Sequence, residues 1–225
     1  MEALKISAVR EERMTAEISD ARQGRKRLRR LQTFLDVAYA VLFVDFIQYL
    51  PHTEDMAWEA LPYGLLSLLL ENSVDILRLI IAVGLTLISW NLTHKLLGPL
   101  TQTDAKHTIL ALFQLIFVCL FLFFAIADPA LESLSSPVGQ SICLAISGFI
   151  GLAGFAYAQK KGFVDPDLSD EKIAEVAQGA SIEPTTALLN TGLAFVGPGA
   201  WTLGWFLIPI AVIQVRKRLP SKVRA

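Results

Sequence analysis

An all-α membrane protein with six transmembrane helices per subunit is the fold this sequence predicts, on three observations. Hydrophobic residues make up 53% of the 225 positions and charged residues only 18%, below the roughly one quarter usual for soluble domains. The charges cluster near the ends of the chain and in short connections, leaving apolar runs that match the roughly 17–25 residues of a membrane span. Those connections alternate between basic and acidic, as they must when successive spans cross in opposite directions.

The N-terminal segment 1–28 is rich in charge and lacks the short apolar core of a cleavable signal, so it reads as a charged cytoplasmic helix. The first span covers about 32–50 and stops at Pro51. Residues 57–70, "AWEALPYGLLSLLL", are too short to cross and contain Glu59 and Pro62. An interfacial helix on the outer surface is expected there, with Trp58 and Tyr63 at headgroup depth. The second span is 76–97, ended by Gly98-Pro99; the third is 107–127, closed by Asp128-Pro129; the fourth is 138–158, followed by Lys160 and Lys161. Within the fourth, "SGFIGLAG" offers small residues for close helix contact.

A further stretch, 185–215, is broken at Gly197-Pro198-Gly199 and reads as two shorter helices, spans five and six, or as a re-entrant pair. Before it, Ser169 is the N-cap of a short helix that carries Asp170 and Glu171 in its first turn. Its acidic cluster is read as a solvated face. A basic tail, 217–225, closes the chain, so the six-helix domain spans 29–216. Arg25, Lys26, Arg27, Arg29 and Arg30 precede the first span, and Arg216, Lys217 and Arg218 follow the last. The positive-inside rule therefore places both termini in the cytoplasm. Cys119 and Cys143 lie inside apolar runs and predict neither a disulfide nor a metal site. His52 and His107 read as solvated histidines at the membrane surface.

The first span carries two aspartates, which are expensive at membrane depth. On a 100° wheel, Leu31, Phe34, Ala38, Val41, Asp45 and Gln48 form a stripe with spacings of 3 and 4, the pattern that meets a symmetry axis or a partner helix. Asp36 lies about 140° from Val41. The two carboxyls therefore have different work: Asp36 faces neighbouring helices, and Asp45 shares the stripe with Gln48. Packing of Asp45 and Gln48 within the bundle is the alternative.

"RLQTFLD", Arg30 to Asp36, resembles the Arg/Lys-x-x-x-Phe-Ser-Asp signature of the transmembrane protein 175 family of lysosomal and bacterial potassium channels. "SWNLTH" resembles that family's tryptophan followed four residues later by histidine, here Trp90 and His94, and "FVGP" sits at the corresponding closing turn. The resemblance covers about 29–216 and is closest to the bacterial six-helix type. It implies a homotetramer in a bacterial inner membrane, with first helices lining a central axis. It also implies a structural network of Arg30, Phe34, Asp36, Trp90 and His94, and a constriction at Val41. Asp45 and Gln48 become the next pore-lining residues outward. Leu35 replaces the signature serine, and polar residues stand at 45 and 48 where the family carries apolar ones.

The resulting expectation is a tetrameric cation channel, with potassium the candidate ion, or a channel-like pore. The alternative is a non-conducting scaffold or sensor that signals through its cytoplasmic N-terminus. No Ser-His pair, paired carboxylates or metal-ligand set supports an enzyme, and no cofactor or metal is expected. Expected partners are further copies of the chain, monovalent cations, the lipid bilayer and a cytoplasmic protein at the N-terminal helix, with no nucleic acid.

Overall fold

The computed structural model describes residues 2–47, 64, 66–67, 70, 73–128 and 131–218. It is helical throughout: among the described residues the only extended pairing is an isolated antiparallel bridge between Leu100 and Val164. The helices are α1 (Glu2–Ile47), α2 (Ser73–Leu97), α3 (Ala105–Ala127), α4 (Ser135–Lys160), α5 (Asp170–Ala180), α6 (Ile182–Ala194) and α7 (Pro198–Arg218). The interfacial helix expected at 57–70 falls almost wholly outside the described residues.

α1 joins the charged segment to the apolar one in a single helix of 46 residues, about 69 Å long at the usual rise. No proline interrupts it, and its lone glycine leaves it unbroken. Among the described residues four helices are long and apolar enough to cross a membrane: α2 over Ile76–Leu97, α3, α4 and α7. The apolar part of α1 is interrupted by Asp36 and Asp45.

The closing hairpin divides unevenly. α6 has 13 residues, about 20 Å, well short of a bilayer core of about 30 Å. α7 has 21 residues. Pro198 opens α7 at the position where a missing N–H costs nothing, and Gly197 supplies the left-handed turn before it, at φ 143°. The two shorter helices expected from the sequence are thus one short helix and one of span length. α6 begins as soon as Ser181 ends α5, so most of its first turns lie against α4 rather than reaching onward. There Gly148 leaves room for Pro184, which a side chain would meet within 2.7 Å. Ser169 caps α5 by accepting the Lys172 N–H at 3.3 Å.

One end of the bundle gathers the base of α1 (from about residue 24), the C-terminal ends of α2, α4 and α7, and the start of α3. Backbone bonds join its connections: Thr101 N–H donates to Phe163 O at 2.8 Å, Asp165 N–H to Pro99 O at 2.9 Å, and Thr103 N–H to Gly24 O at 3.3 Å. Arg216 reaches Gln178 O at 2.6 Å. This end carries the arginines of α1, Lys95, Lys106, Lys160, Lys161 and the α7 cations. The other end holds Asp128 and Glu132, where Asp128 accepts the Glu132 and Ser133 amides at 3.0 and 2.9 Å. The lysines and arginines named here thus gather at one end, which also holds Asp104, Asp165 and the acidic first turn of α5.

Two apolar clusters fill the interior. Near the basic end, Leu31, Leu35 and Tyr39 of α1 pack with Leu92 and Leu96 of α2 and Val118 of α3. Further along, Phe121, Leu144 and Ala187 pack with Trp201 and Trp205 of α7. Cys143 is buried and Cys119 exposed, and both are free thiols.

Candidate functional site

α1 presents two faces. Leu28, Leu31, Leu35 and Tyr39, spaced 3, 4 and 4 apart, are buried against the subunit's own helices. The opposite side stays open: Phe34 is 52% exposed, Val37 58%, Val41 54% and Val44 57%. These four follow 3-4-3 spacing, so they form a heptad ridge on the outside of a single subunit. Val41 and Phe34 lie on it. Asp45 sits at its edge, half-buried, and Gln48 lies outside the described residues. Leu31 is buried and Ala38 half-buried, which turns the open face away from the stripe drawn through 31, 38 and 45.

Beside this ridge lies a polar cluster. Asp36 Oδ1 accepts the Trp90 indole N–H at 3.2 Å and bonds His94 Nε2 at 2.6 Å. With the carboxylate as acceptor, His94 must donate from Nε2. Trp90 meets the His94 ring edge-on at 4.7 Å, an orientation that favours aromatic pairs. The residues are placed by helix geometry: Trp90 and His94 are one turn apart on α2, so both reach one acceptor on α1. Arg30 and Phe34 face outward and take no part in these bonds.

Asp36→Ala should loosen the α1–α2 contact at the basic end. Hydrogen bonds to charged groups contribute about 1.5–3 kcal/mol. The Asp36 side chain is 48% exposed, so screening by solvent reduces this to about 1 kcal/mol. A thermal melt of the purified protein should show a small downward shift, and Asp36→Asn should recover part of it. An unchanged melting temperature for Asp36→Ala would deny the cluster a structural role.

Behind the ridge runs a second, buried set of polar groups that sequence reasoning missed. Thr93 gives its hydroxyl proton to Ser89 O at 2.9 Å and accepts from Gln114 Nε2 at 3.0 Å. The Tyr39 hydroxyl, 3.3 Å from Thr93 Oγ1, must then be the donor in that pair. Ser147 donates to Gln114 O at 3.1 Å, and Ser89 donates to Glu183 Oε1 at 2.5 Å. α1, α2, α3, α4 and α6 are therefore joined by one chain of contacts. The visible signal was Ser89 and Thr93, one turn apart within an apolar span and facing the same way.

At the basic end Asp104 caps α3 by accepting the His107 N–H at 2.8 Å, and accepts the Tyr157 hydroxyl at 2.6 Å. Burial opposes ionisation of Asp104, but these two bonds and the nearby positive groups outweigh it and lower its pKa. His107 is not solvated as expected. It is buried, with Nδ1 2.8 Å from Thr103 Oγ1, because the cap turns the first residues of α3 inward. His52 lies outside the described residues. No protein-family model, no curated protein and no solved structure matches the chain.

Proposed function

We propose that the chain is one subunit of a homotetrameric cation channel, or channel-like pore, with α1 around the central axis. The observation that carries this reading is Asp45, at the edge of the open Phe34–Val44 ridge on the outside of a single subunit and within the apolar run of α1. A carboxyl facing lipid costs a few kcal/mol. A symmetric assembly that packs α1 against its copies removes that exposure and encloses a wet axis. The Arg30–Asp36 signature and the Trp90–His94 pair support a transmembrane protein 175-like subunit. In this reading α1, α2, α3, α4 and the α6–α7 hairpin are the six membrane-embedded helices, with α6 too short to cross on its own. The basic end faces the cytoplasm of a bacterial inner membrane, Val41 is the constriction, and Asp45 and Gln48 lie outward of it.

A scaffold or sensor is favoured by one observation: the charged N-terminal segment continues the same helix as Val41, so a partner bound there is rigidly connected to the axis. Two measurements decide. Mass in mild detergent should give four subunits. Recording in planar bilayers under potassium, sodium and chloride gradients should give cation-selective current. A tetramer without current leaves the scaffold; a monomer removes both assembly readings.

A further inference from the structure

A cavity of about 240 Å³ opens between α2, the α5–α6 junction and α7, away from the α1 ridge. Leu85, Ile88, Leu92 and Pro209 make its walls largely apolar, while Lys95 stands exposed where it approaches the basic end. Three of its lining residues carry buried polar atoms without a hydrogen-bond partner: Glu183 Oε2, Thr186 Oγ1 and Trp205 Nε1. Thr186 is only 2% exposed and Trp205 7%. Buried polar atoms are normally paired, and leaving each one unpaired costs about 1–3 kcal/mol. Three such atoms around one cavity are a concentration of unmet hydrogen bonds.

Their chemistry is complementary rather than uniform. Glu183 offers an acceptor, since its other oxygen already takes the Ser89 hydroxyl. Thr186, one turn further along α6, offers a hydroxyl that accepts or donates. Trp205 offers only a donor. Lys95 adds a cation about 9 Å along α2 from Ser89 by helix rise. An acid deep in the site and a base at its rim match a zwitterion with its cation inward.

We propose that this cavity binds a phosphoethanolamine group, its ammonium on Glu183 and Thr186 and its phosphate towards Lys95 at the rim. The three orphan atoms have almost no open surface of their own, so binding requires Glu183 and Thr186 to turn towards the cavity. A primary ammonium carries the N–H donors that Glu183 requires. A trimethylammonium of the same charge carries none and is too wide to approach as closely. The group has two sources, a lipid headgroup and the free compound.

The test uses the full chain in nanodiscs and reads the thermal midpoint by tryptophan fluorescence. If the headgroup is the source, phosphatidylethanolamine discs should melt about 5 °C or more above phosphatidylcholine discs. If the free compound is the source, O-phosphoethanolamine added to phosphatidylcholine discs should give a saturable rise of the same size. In either case Glu183→Gln, which still accepts from Ser89, and Thr186→Val should abolish the difference. Thr186→Val removes a hydroxyl that has no partner, so its own midpoint in phosphatidylcholine should not fall. It decides the matter if Glu183→Gln does not fold. No rise from either source, or an equal rise in both variants, overturns the assignment.

Discussion

Gly204→Ala should lower the melting midpoint by about 10 °C and separate α7 from α6. A Cβ at 204 would collide with Asn190 Oδ1 and stand 2.7 Å from Leu193 Cδ1 and 3.0 Å from Asn190 Cγ. Asn190 cannot yield cheaply. It is completely buried, and its Nδ2 donates to Trp201 O at 3.1 Å. Trp201 in turn donates to Ser141 Oγ at 2.8 Å, which ties the hairpin to α4. Overpacking a core costs about 1–3 kcal/mol, and breaking the Asn190 bond adds the cost of an unpaired buried amide, about 1–3 kcal/mol. At about 2–4 °C per kcal/mol for a chain of this size, the shift is large. Gly199 is the control. A Cβ there meets nothing within 4 Å, so Gly199→Ala should leave the midpoint level or raise it slightly. Equal midpoints for the two variants would mean that α6 and α7 do not pack as closely as described.

Long apolar runs made α3 and α4 legible in the sequence, because a span needs little beyond length and hydropathy. The Ser169 cap was equally plain, since capping depends on residues within one turn. Asp36 with Trp90 and His94 could be read from the resemblance, and because all three lie towards the same ends of adjacent spans. The orientation of α1 could not. Between Phe34 and Ile47 it is apolar nearly all round, so periodicity defines several stripes and does not say which one meets the subunit's own helices. Leu31, Leu35 and Tyr39 face inward because α2 and α3 bury them, a fact of tertiary packing. Glu183 was hidden for a different reason. It lies in "SIEP", which reads as a turn, whereas Ser181 ends one helix and the next begins at once, carrying the carboxyl into the bundle beside Ser89. His107 was misread for the same cause: its surroundings are set by a neighbouring connection, not by its own segment.

The second large effect concerns the proposed axis. In the assembled protein Val41→Lys should abolish cation current while leaving the tetramer intact, and Val41→Ala should raise it. Val41 is 54% exposed on the open ridge of α1, so substitution there disturbs little within a subunit. Four ammonium groups at one narrow level oppose any entering cation. Four alanines instead widen the dry point by two methyl groups per subunit. Asp45 stands about 6 Å along the helix from Val41, near enough to act on an ion held at the constriction. One unit charge at about 6 Å in water contributes about 0.7 kcal/mol, and four of them, after salt screening, leave on the order of 1–2 kcal/mol. Asp45→Asn should therefore reduce the cation-to-anion permeability ratio by about tenfold, read as a shift of the reversal potential in a potassium chloride gradient. Asn keeps the shape of the side chain and one acceptor oxygen, and recording from intact tetramers separates the charge effect from any loss of assembly. Tetramers of Asp45→Asn with unchanged reversal potentials would take Asp45 off the axis. If Val41→Lys tetramers also conducted normally, no part of α1 would line the path. The rigid continuity of α1 with its charged N-terminal segment would then be the better guide to what the protein does.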